Sequence, residues 1–237
     1  MNNNFRIFNH SSQEMTECED SSVDFIVVAP PYNIGTKYGN ESDRRAFEDY
    51  ERLMTDISKE SHRIVKNTGK VLVEAADSVL MGGSYVQLAG MIQSLFLKEG
   101  FHLQERHINF VHTNSGVELT EDSRWDENYS TRRDAHSNAH QWMVFTKEPT
   151  DFRSGRIFYV DYVETPVHPC PFPEKVVEIF LDSYFKSGDT VLEPFMGVST
   201  LGREVLRRGG RYVGYEIDET IFHEAEKNLQ DGSLARS

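Results

Sequence analysis

An α/β fold, doubly wound around a mostly parallel sheet, is what this sequence predicts. Three observations point to it. Short apolar, β-branched runs stop at turn residues, amphipathic helical stretches alternate with them, and the C-terminal third joins them through short Gly-rich connections. A chain of 237 residues with 38% apolar content suits a single domain, residues 1–237, large enough to bury a sizeable core.

Val23–Val28 reads as a buried strand that halts at Ala29-Pro30-Pro31-Tyr32. A helix is predicted over about Asp43–Lys66, because Phe47, Tyr50, Met54, Ile57 and Ile64 recur on one face. Asn67-Thr68-Gly69 is read as its C-terminal stop, before a strand over Lys70–Ala75. A helix over Ser84–Lys98 and a strand around Glu105–His112 follow. From Thr113 to Gln141 the sequence is polar and almost without aliphatic side chains, the mark of a functional or mobile loop. Strands are expected again over Gln141–Thr146 and Arg156–Val160, then a helix over Pro173–Phe185. The chain closes as strand Thr190–Glu193, helix Thr200–Arg208, strand Tyr212–Glu216 and helix Glu219–Leu229. In such sheets ligands sit beyond the C-terminal strand ends, which is where Ala29 to Tyr32 fall.

Composition narrows the function classes. No apolar run approaches the ~20 residues that span a bilayer, and the polar start MNNNFRIFNHSSQ has no apolar signal-peptide core. Cys18 and Cys170 lie far apart without metal-type spacing, so a reduced, cytoplasmic setting is expected. The formal net charge of -13 argues against a chain that simply coats nucleic acid, while leaving room for a local basic groove or a basic partner.

In DTVLEPFMGVSTLGREVLRRGGRYVGYEID a strand ends at Glu193, a tight Pro-Phe-x-Gly turn follows, and a helix opens at Ser199-Thr200. About 20 residues further on, a second strand ends in an acid, Glu216, as in nucleotide-type sites where an acid takes ribose hydroxyls. Gly197 would let the backbone approach such a ligand. The loop is not GxGxxG, which disfavours a pyrophosphate and a nicotinamide-dependent oxidoreductase; a neutral-to-cationic adenosyl ligand fits better. The plainer alternative is a strand–turn–helix with a surface glutamate.

With these residues in view, the chain resembles the S-adenosylmethionine-dependent DNA amino-methyltransferases of the N6-adenine and N4-cytosine type. Ala29-Pro30-Pro31-Tyr32, with Asn33-Ile34-Gly35 behind it, resembles their Asp-, Asn- or Ser-Pro-Pro-Tyr hallmark. Glu193-Pro194-Phe195-Met196-Gly197-Val198-Ser199-Thr200 resembles their Asp-Pro-Phe-x-Gly-x-Gly-Thr cofactor loop. Gly214-Tyr215-Glu216 matches the ribose-binding acid, and HPCPFP from His168 matches a segment that often precedes the cofactor helix. The order, catalytic strand before cofactor loop, is that of the permuted subgroup.

The resemblance implies a Rossmann-like methyltransferase fold, S-adenosylmethionine as cofactor, and DNA as partner, with RNA as a substrate still open. It implies that a side-chain oxygen at position 29 and a Pro-Pro carbonyl orient the target amine, and that Tyr32 stacks on a flipped base. Glu193, Pro194, Phe195, Gly197, Ser199, Thr200 and Glu216 become the cofactor-binding candidates. Asn33, Lys37 and Tyr38, just past the corner, are candidates for the flipped nucleotide or a phosphate. The polar insertion at about 113–141 falls where the subgroup places target recognition. There Arg124, Trp125, Tyr129, Arg132 and Arg133 could contact DNA, or the segment could be a solvated loop. His136 and His140 lack a completing ligand, so no metal is expected. Asp77 is read as a turn residue capping the next helix.

Departures matter as much. Ala29 has no oxygen where the family supplies one, a loss of ~10²–10³ in rate for a comparable polar group. An engineered inactivating substitution is the expected origin, and a naturally inactive subunit the alternative. Asn9-His10-Ser11-Ser12 stands where relatives show Gly-Asp. Glu193 and Ser199 stand for Asp and Gly. The readings are an adenine N6 methyltransferase, with cytosine N4 as the second choice. From another class comes a non-catalytic nucleic-acid-binding subunit of a methyltransferase complex. A protein partner or homodimer is compatible with either, and no membrane is expected.

Overall fold

The structure, a computed structural model, describes residues 4–39, 41–112, 139–161, 168 and 172–234. The elements run β1 (Phe5–Phe8), β2 (Val23–Val28), β3 (Lys37–Tyr38), β4 (Glu41–Ser42), α1 (Phe47–Ile64), β5 (Val65–Ala76), β6 (Val79–Met81), β7 (Ser84–Val86) and α2 (Leu88–Lys98). They continue as β8 (His102–His112), β9 (Ala139–Thr146), β10 (Arg153–Asp161), α3 (Glu174–Tyr184), β11 (Thr190–Glu193), α4 (Thr200–Arg207), β12 (Arg211–Tyr215) and α5 (Glu219–Leu234).

Eight strands form one sheet in the order β1-β12-β11-β2-β5-β9-β8-β10. Only the two pairings made by β9 are antiparallel. Burial on both faces explains why β2 is apolar at nearly every position rather than alternating. One face packs Tyr50, Met54 and Ile57 of α1 and Leu88, Ile92 and Phe96 of α2. The other packs Val177 and Phe180 of α3, Leu201 and Val205 of α4, and Ala225 and Leu229 of α5. No described helix is long and apolar enough to cross a membrane.

The sheet's winding reverses between β11 and β2. β11 leads through α4 to β12 on one side, while β2 leads through α1 to β5 on the other. A crevice therefore opens at the C-terminal ends of this central pair, where α/β sheets bind ligands. The pair is in register, with Val191 beside Phe25 and Leu192 beside Ile26, so Pro194 and Val28 reach the same edge together.

Three local expectations need correction. Asn67-Thr68-Gly69 does not stop a helix: α1 ends at Ile64 and the chain passes straight into β5. These residues sit in a bulge between the Val23–Val65 and Phe25–Lys70 pairs, where a Cβ on Gly69 would lie 2.8 Å from the Asp24 carbonyl. Ser84–Val86 is not helical either; it forms a hairpin with β6 across Gly82-Gly83, both at positive φ. Asp77 caps no helix, since its amide donates to the Ala139 carbonyl and its carboxylate accepts from the Gln141 side chain. The Phe5–Phe8 strand adds an edge beside β12 that no apolar run announced.

Candidate active site

Beyond β2, the half-buried Ala29 precedes a corner braced from behind by α1. The hydroxyl of the fully buried Tyr50 donates to the Pro31 carbonyl at 2.8 Å. The Pro30 carbonyl has no donor among the described residues. Prolines hold these carbonyls in fixed directions and add no competing N–H. Asn33 turns the chain with φ 60°, and its amide is spent on the backbone of Arg45: Nδ2 donates to the carbonyl at 3.0 Å and Oδ1 accepts from the amide at 2.5 Å. The buried Asp43 carboxylate accepts from the amides of Gly35 at 2.6 Å and Ile34 at 3.3 Å. Burial raises its pKa against the pull of these donors.

Tyr32 does not stand alone at the corner. Its hydroxyl donates to Glu74 Oε1 at 2.5 Å and lies 2.9 Å from His140 Nδ1, which is itself 2.6 Å from the same Glu74 oxygen. The Tyr32 and His140 rings meet edge to face at 5.5 Å. Glu74 comes from β5 and His140 from β9, so three elements converge on one carboxylate.

The second corner follows β11. Pro194 is buried, and Phe195 is half-buried and packed against the α1–α2 core, as Phe8, Tyr32 and Ile34 are. Ser199 takes a left-handed conformation, φ 61°, and its amide donates to the Met196 carbonyl at 2.8 Å before α4 starts at Thr200. Glu216, just past β12, holds the turn shut. Its Oε2 accepts from the Gly197 amide at 3.1 Å and its Oε1 from the Asp218 amide at 2.9 Å. Burial raises the Glu216 pKa while these backbone donors oppose the rise. Asn9 reinforces the edge by donating to the Glu216 carbonyl at 2.9 Å. Glu193 differs: it is enclosed, takes a 2.5 Å hydrogen bond from the Tyr212 hydroxyl, and burial pushes its pKa up to about 8.

A strap joins the corners. Tyr38 of β3 lies 5.4 Å, ring to ring, from His168, and a Cβ on Gly197 would come within 2.9 Å of His168 Nε2. Burial lowers the His168 pKa to about 4, which leaves the ring neutral. A Cβ on Gly39 would collide with the Asp218 carboxylate, which caps α5 by accepting from the Ile221 amide at 3.0 Å. Lys37 is exposed on the same strap. The diproline corner, the glycine turn and Glu216 thus share one edge of the sheet. Arg124, Trp125, Tyr129, Arg132, Arg133 and His136, in the polar insertion, lie outside the described residues, as does Cys170.

The donor set fits an adenosyl group with a cationic tail better than a pyrophosphate. Two acids, Glu216 and Asp218, border the turn, and each Glu216 oxygen keeps a lone pair for a hydroxyl after accepting one amide. Phe195 offers a flat apolar surface alongside.

A family model of DNA methylases of the N6/N4 type matches residues 23–227. The chain belongs to this DNA methylase family. The type II methyltransferase M.BglII of Bacillus subtilis is 25% identical over 239 residues, covering 90% of this chain and 66% of its own length. This chain therefore spans just under two thirds of that enzyme. A solved structure described as a DNA modification methylase from Thermus thermophilus, complexed with S-adenosyl-L-methionine, superposes with TM-score 0.67 at 21% identity. The match covers 97% of this chain and 96% of that one. The cytosine-N4-specific PvuII DNA methyltransferase gives TM-score 0.69 at 17% identity, over 97% of this chain and 91% of its own. These likenesses establish a shared doubly wound methylase fold.

Sequence reasoning missed Glu74, Tyr50 and Asp43 as parts of this site, and set His140 aside after weighing it only as a metal ligand. A signal for Glu74 was present: it is a lone acid inside the apolar run Val71-Leu72-Val73 to Ala75-Ala76. A charge in such a strand needs a reason.

Proposed function

We propose that this chain transfers a methyl group from S-adenosylmethionine to an exocyclic amino group of a base in DNA, adenine N6 ahead of cytosine N4. The observation that carries the reading is the shared sheet edge of the diproline corner and the Glu216-clamped glycine turn. When bound, S-adenosylmethionine supplies an electrophilic methyl on a sulfonium. Glu216 would take its ribose hydroxyls, and Phe195, Pro194 and the Gly197–Thr200 turn would shape the pocket for its adenosyl portion. Glu193 and Ser199 support that turn from within.

At the other corner the Pro30 carbonyl would accept one hydrogen of the amine, holding its nitrogen lone pair toward the methyl. Tyr32, anchored through its hydroxyl, would stack on an extruded base. Asn33 sets the loop that carries Lys37 and Tyr38 toward the nucleotide, and Arg132 and Arg133 would contact phosphates. Ala29 itself gives the corner no side-chain acceptor, and without one from another residue the rate is expected to be impaired by ~10²–10³ relative to an oxygen-bearing residue at this position. A bacterial-type cytoplasmic setting goes with this role.

The test is tritiated methyl transfer into polymerase-amplified, and so unmodified, duplex DNA by the wild type and by Ala29→Asp and Ala29→Ser. Chromatography of the digested nucleosides identifies the methylated base. Both variants should exceed the wild type, and calorimetry should show S-adenosylmethionine binding to all three. Silence from all three together with absent binding would end the reading. A second reading, a non-catalytic DNA-binding subunit, is favoured by Ala29, by the acidic balance and by the short recognition region. Cofactor and DNA binding without transfer, even in the two variants, would select it.

A further inference from the structure

The oxygen missing from β2 is present one strand away. β2 and β5 run parallel with Val27 beside Leu72 and Val28 beside Val73, so Glu74 occupies the rung at which Ala29 leaves β2. Val27 and Leu72 belong to the core under α3–α5, whereas Val28 and Val73 belong to the core under α1 and α2. Side chains alternate along strands, which puts Ala29 and Glu74 on the same face of the sheet edge. Trp142, paired with Glu74 across the β5–β9 ladder, lies in the α3–α5 core and agrees with that assignment.

The Glu74 carboxyl is also tied to the corner itself. Tyr32, three residues beyond Ala29, donates to Oε1 at 2.5 Å, and His140 Nδ1 approaches the same oxygen at 2.6 Å. Oε2 has no donor among the described residues, and it is not one of the fully enclosed atoms without a partner. One carboxylate oxygen is therefore fixed by the corner's own tyrosine, and the other is left to accept from something that enters.

We propose that Glu74 supplies the acceptor that position 29 lacks, taking a hydrogen bond from the target amine through Oε2 while the Pro30 carbonyl takes the other. This rests on the methyltransferase reading above. The amine nitrogen forms its bond to the methyl carbon as the carbon–sulfur bond breaks, that electron pair staying on sulfur. The surplus amine proton leaves onto Glu74 Oε2 and then to water. Glu74 thus acts from β5 as a relocated catalytic oxygen.

Glu74→Gln tests this in two backgrounds by the tritium assay on amplified duplex DNA. In the wild-type background the rate should fall by roughly 10²-fold. In the Ala29→Asp background, where position 29 has its own oxygen, the same change should cost only a few-fold, a non-additivity expected of two groups sharing one task. A merely structural Glu74 would cost equally in both backgrounds, and that result overturns the proposal. A wild type silent beside an active Ala29→Asp would also overturn it while leaving the methyltransferase reading intact. Silence from every form would remove both.

A second readout needs no methyl donor. Ligand-observed NMR compares adenosine with purine riboside, and cytidine with its amine-less analogue. The wild type should prefer the amine-bearing member of one pair, and Glu74→Gln should lose that preference; no preference in the wild type, or an unchanged one in the variant, counts against Glu74. Thermal unfolding and calorimetric binding of S-adenosylhomocysteine confirm that the variant is folded.

Discussion

At the end of β11, Glu193 turns its carboxyl inward to the Tyr212 hydroxyl and is sealed from water, whereas β2 is followed by Ala29, which has no polar side-chain group. The two strands are neighbours in register, and their following turns both use a non-glycine residue in the left-handed region: Ser199 at φ 61° and Asn33 at φ 60°. They are braced differently. The β11 turn is clamped from the front by Glu216, which faces the crevice. The β2 corner is strapped from behind by Tyr50, Asp43 and the Asn33–Arg45 bonds. A turn clamped by its own binding group couples its shape to occupancy, while a corner held from behind keeps its carbonyls aimed whether or not anything is bound. The first arrangement suits a cofactor that comes and goes, the second an orienting template.

The sharpest way to probe the β11 side is pH. Glu193 has its pKa pushed up to about 8 by burial, above the 4.5 of an ordinary glutamate. The folded state therefore binds a proton that the unfolded state releases between those values. The sign follows directly: this group's contribution to stability is complete below about 4.5 and is lost as pH rises through 8. Glu193→Gln keeps an acceptor for Tyr212 and removes the titration. Urea unfolding should find the variant close to wild type at acidic pH and more stable above pH ~8 by ~2–4 kcal/mol. Parallel curves for the two proteins across that window would mean that Glu193 is not the buried, neutral acid described.

Tyr50→Phe makes the matching change behind β2. It deletes the donor to the Pro31 carbonyl and leaves that oxygen unpaired, at a cost of ~1–2 kcal/mol. The melting temperature should drop by about 2–8 °C for a chain of this size. Because the contact braces only the diproline corner, methyl transfer should fall while the calorimetric affinity for S-adenosylhomocysteine holds. A loss of cofactor affinity as large as the loss of rate would show that the corners are not braced independently.

Legibility in the sequence follows the range of each interaction. The β11–α4–β12–α5 run was readable because its signals are local: apolar strand, glycine turn, amphipathic helix. That Ala29–Tyr32 and Glu193–Pro194 fall at one edge of the sheet was readable too, because both lie at the C-terminal ends of apolar strand runs. Glycines were recognised as punctuation but misread in kind, since Gly69 serves a close approach within a bulge and Gly82-Gly83 a hairpin. Glu74 was overlooked, while Asp77 of the same VLVEAAD segment was read as a helix cap. Only the pairing of β5 with β2 and β9 reveals that Glu74 meets Tyr32 and His140 while Asp77 meets Gln141. Such contacts depend on strand order, which no local pattern encodes.

The smallest expected effect separates backbone strain from hydrogen bonding at Asn33. Asn33→Gly and Asn33→Ala both lose the two bonds to Arg45, but only alanine must hold φ near 60° with a Cβ. The alanine variant should be the less stable by about 1 kcal/mol, since asparagine tolerates the left-handed region better than alanine does and glycine enters it freely. Denaturant midpoints resolve that difference if the unfolding slopes agree. Equal stabilities would mean that the loop relaxes once the Arg45 bonds are gone, and so that those bonds, rather than the diproline geometry, impose the left-handed turn. The same pair at Ser199 completes the comparison: there Gly197 and the Glu216 clamp remain, so the turn cannot relax and the alanine penalty should persist.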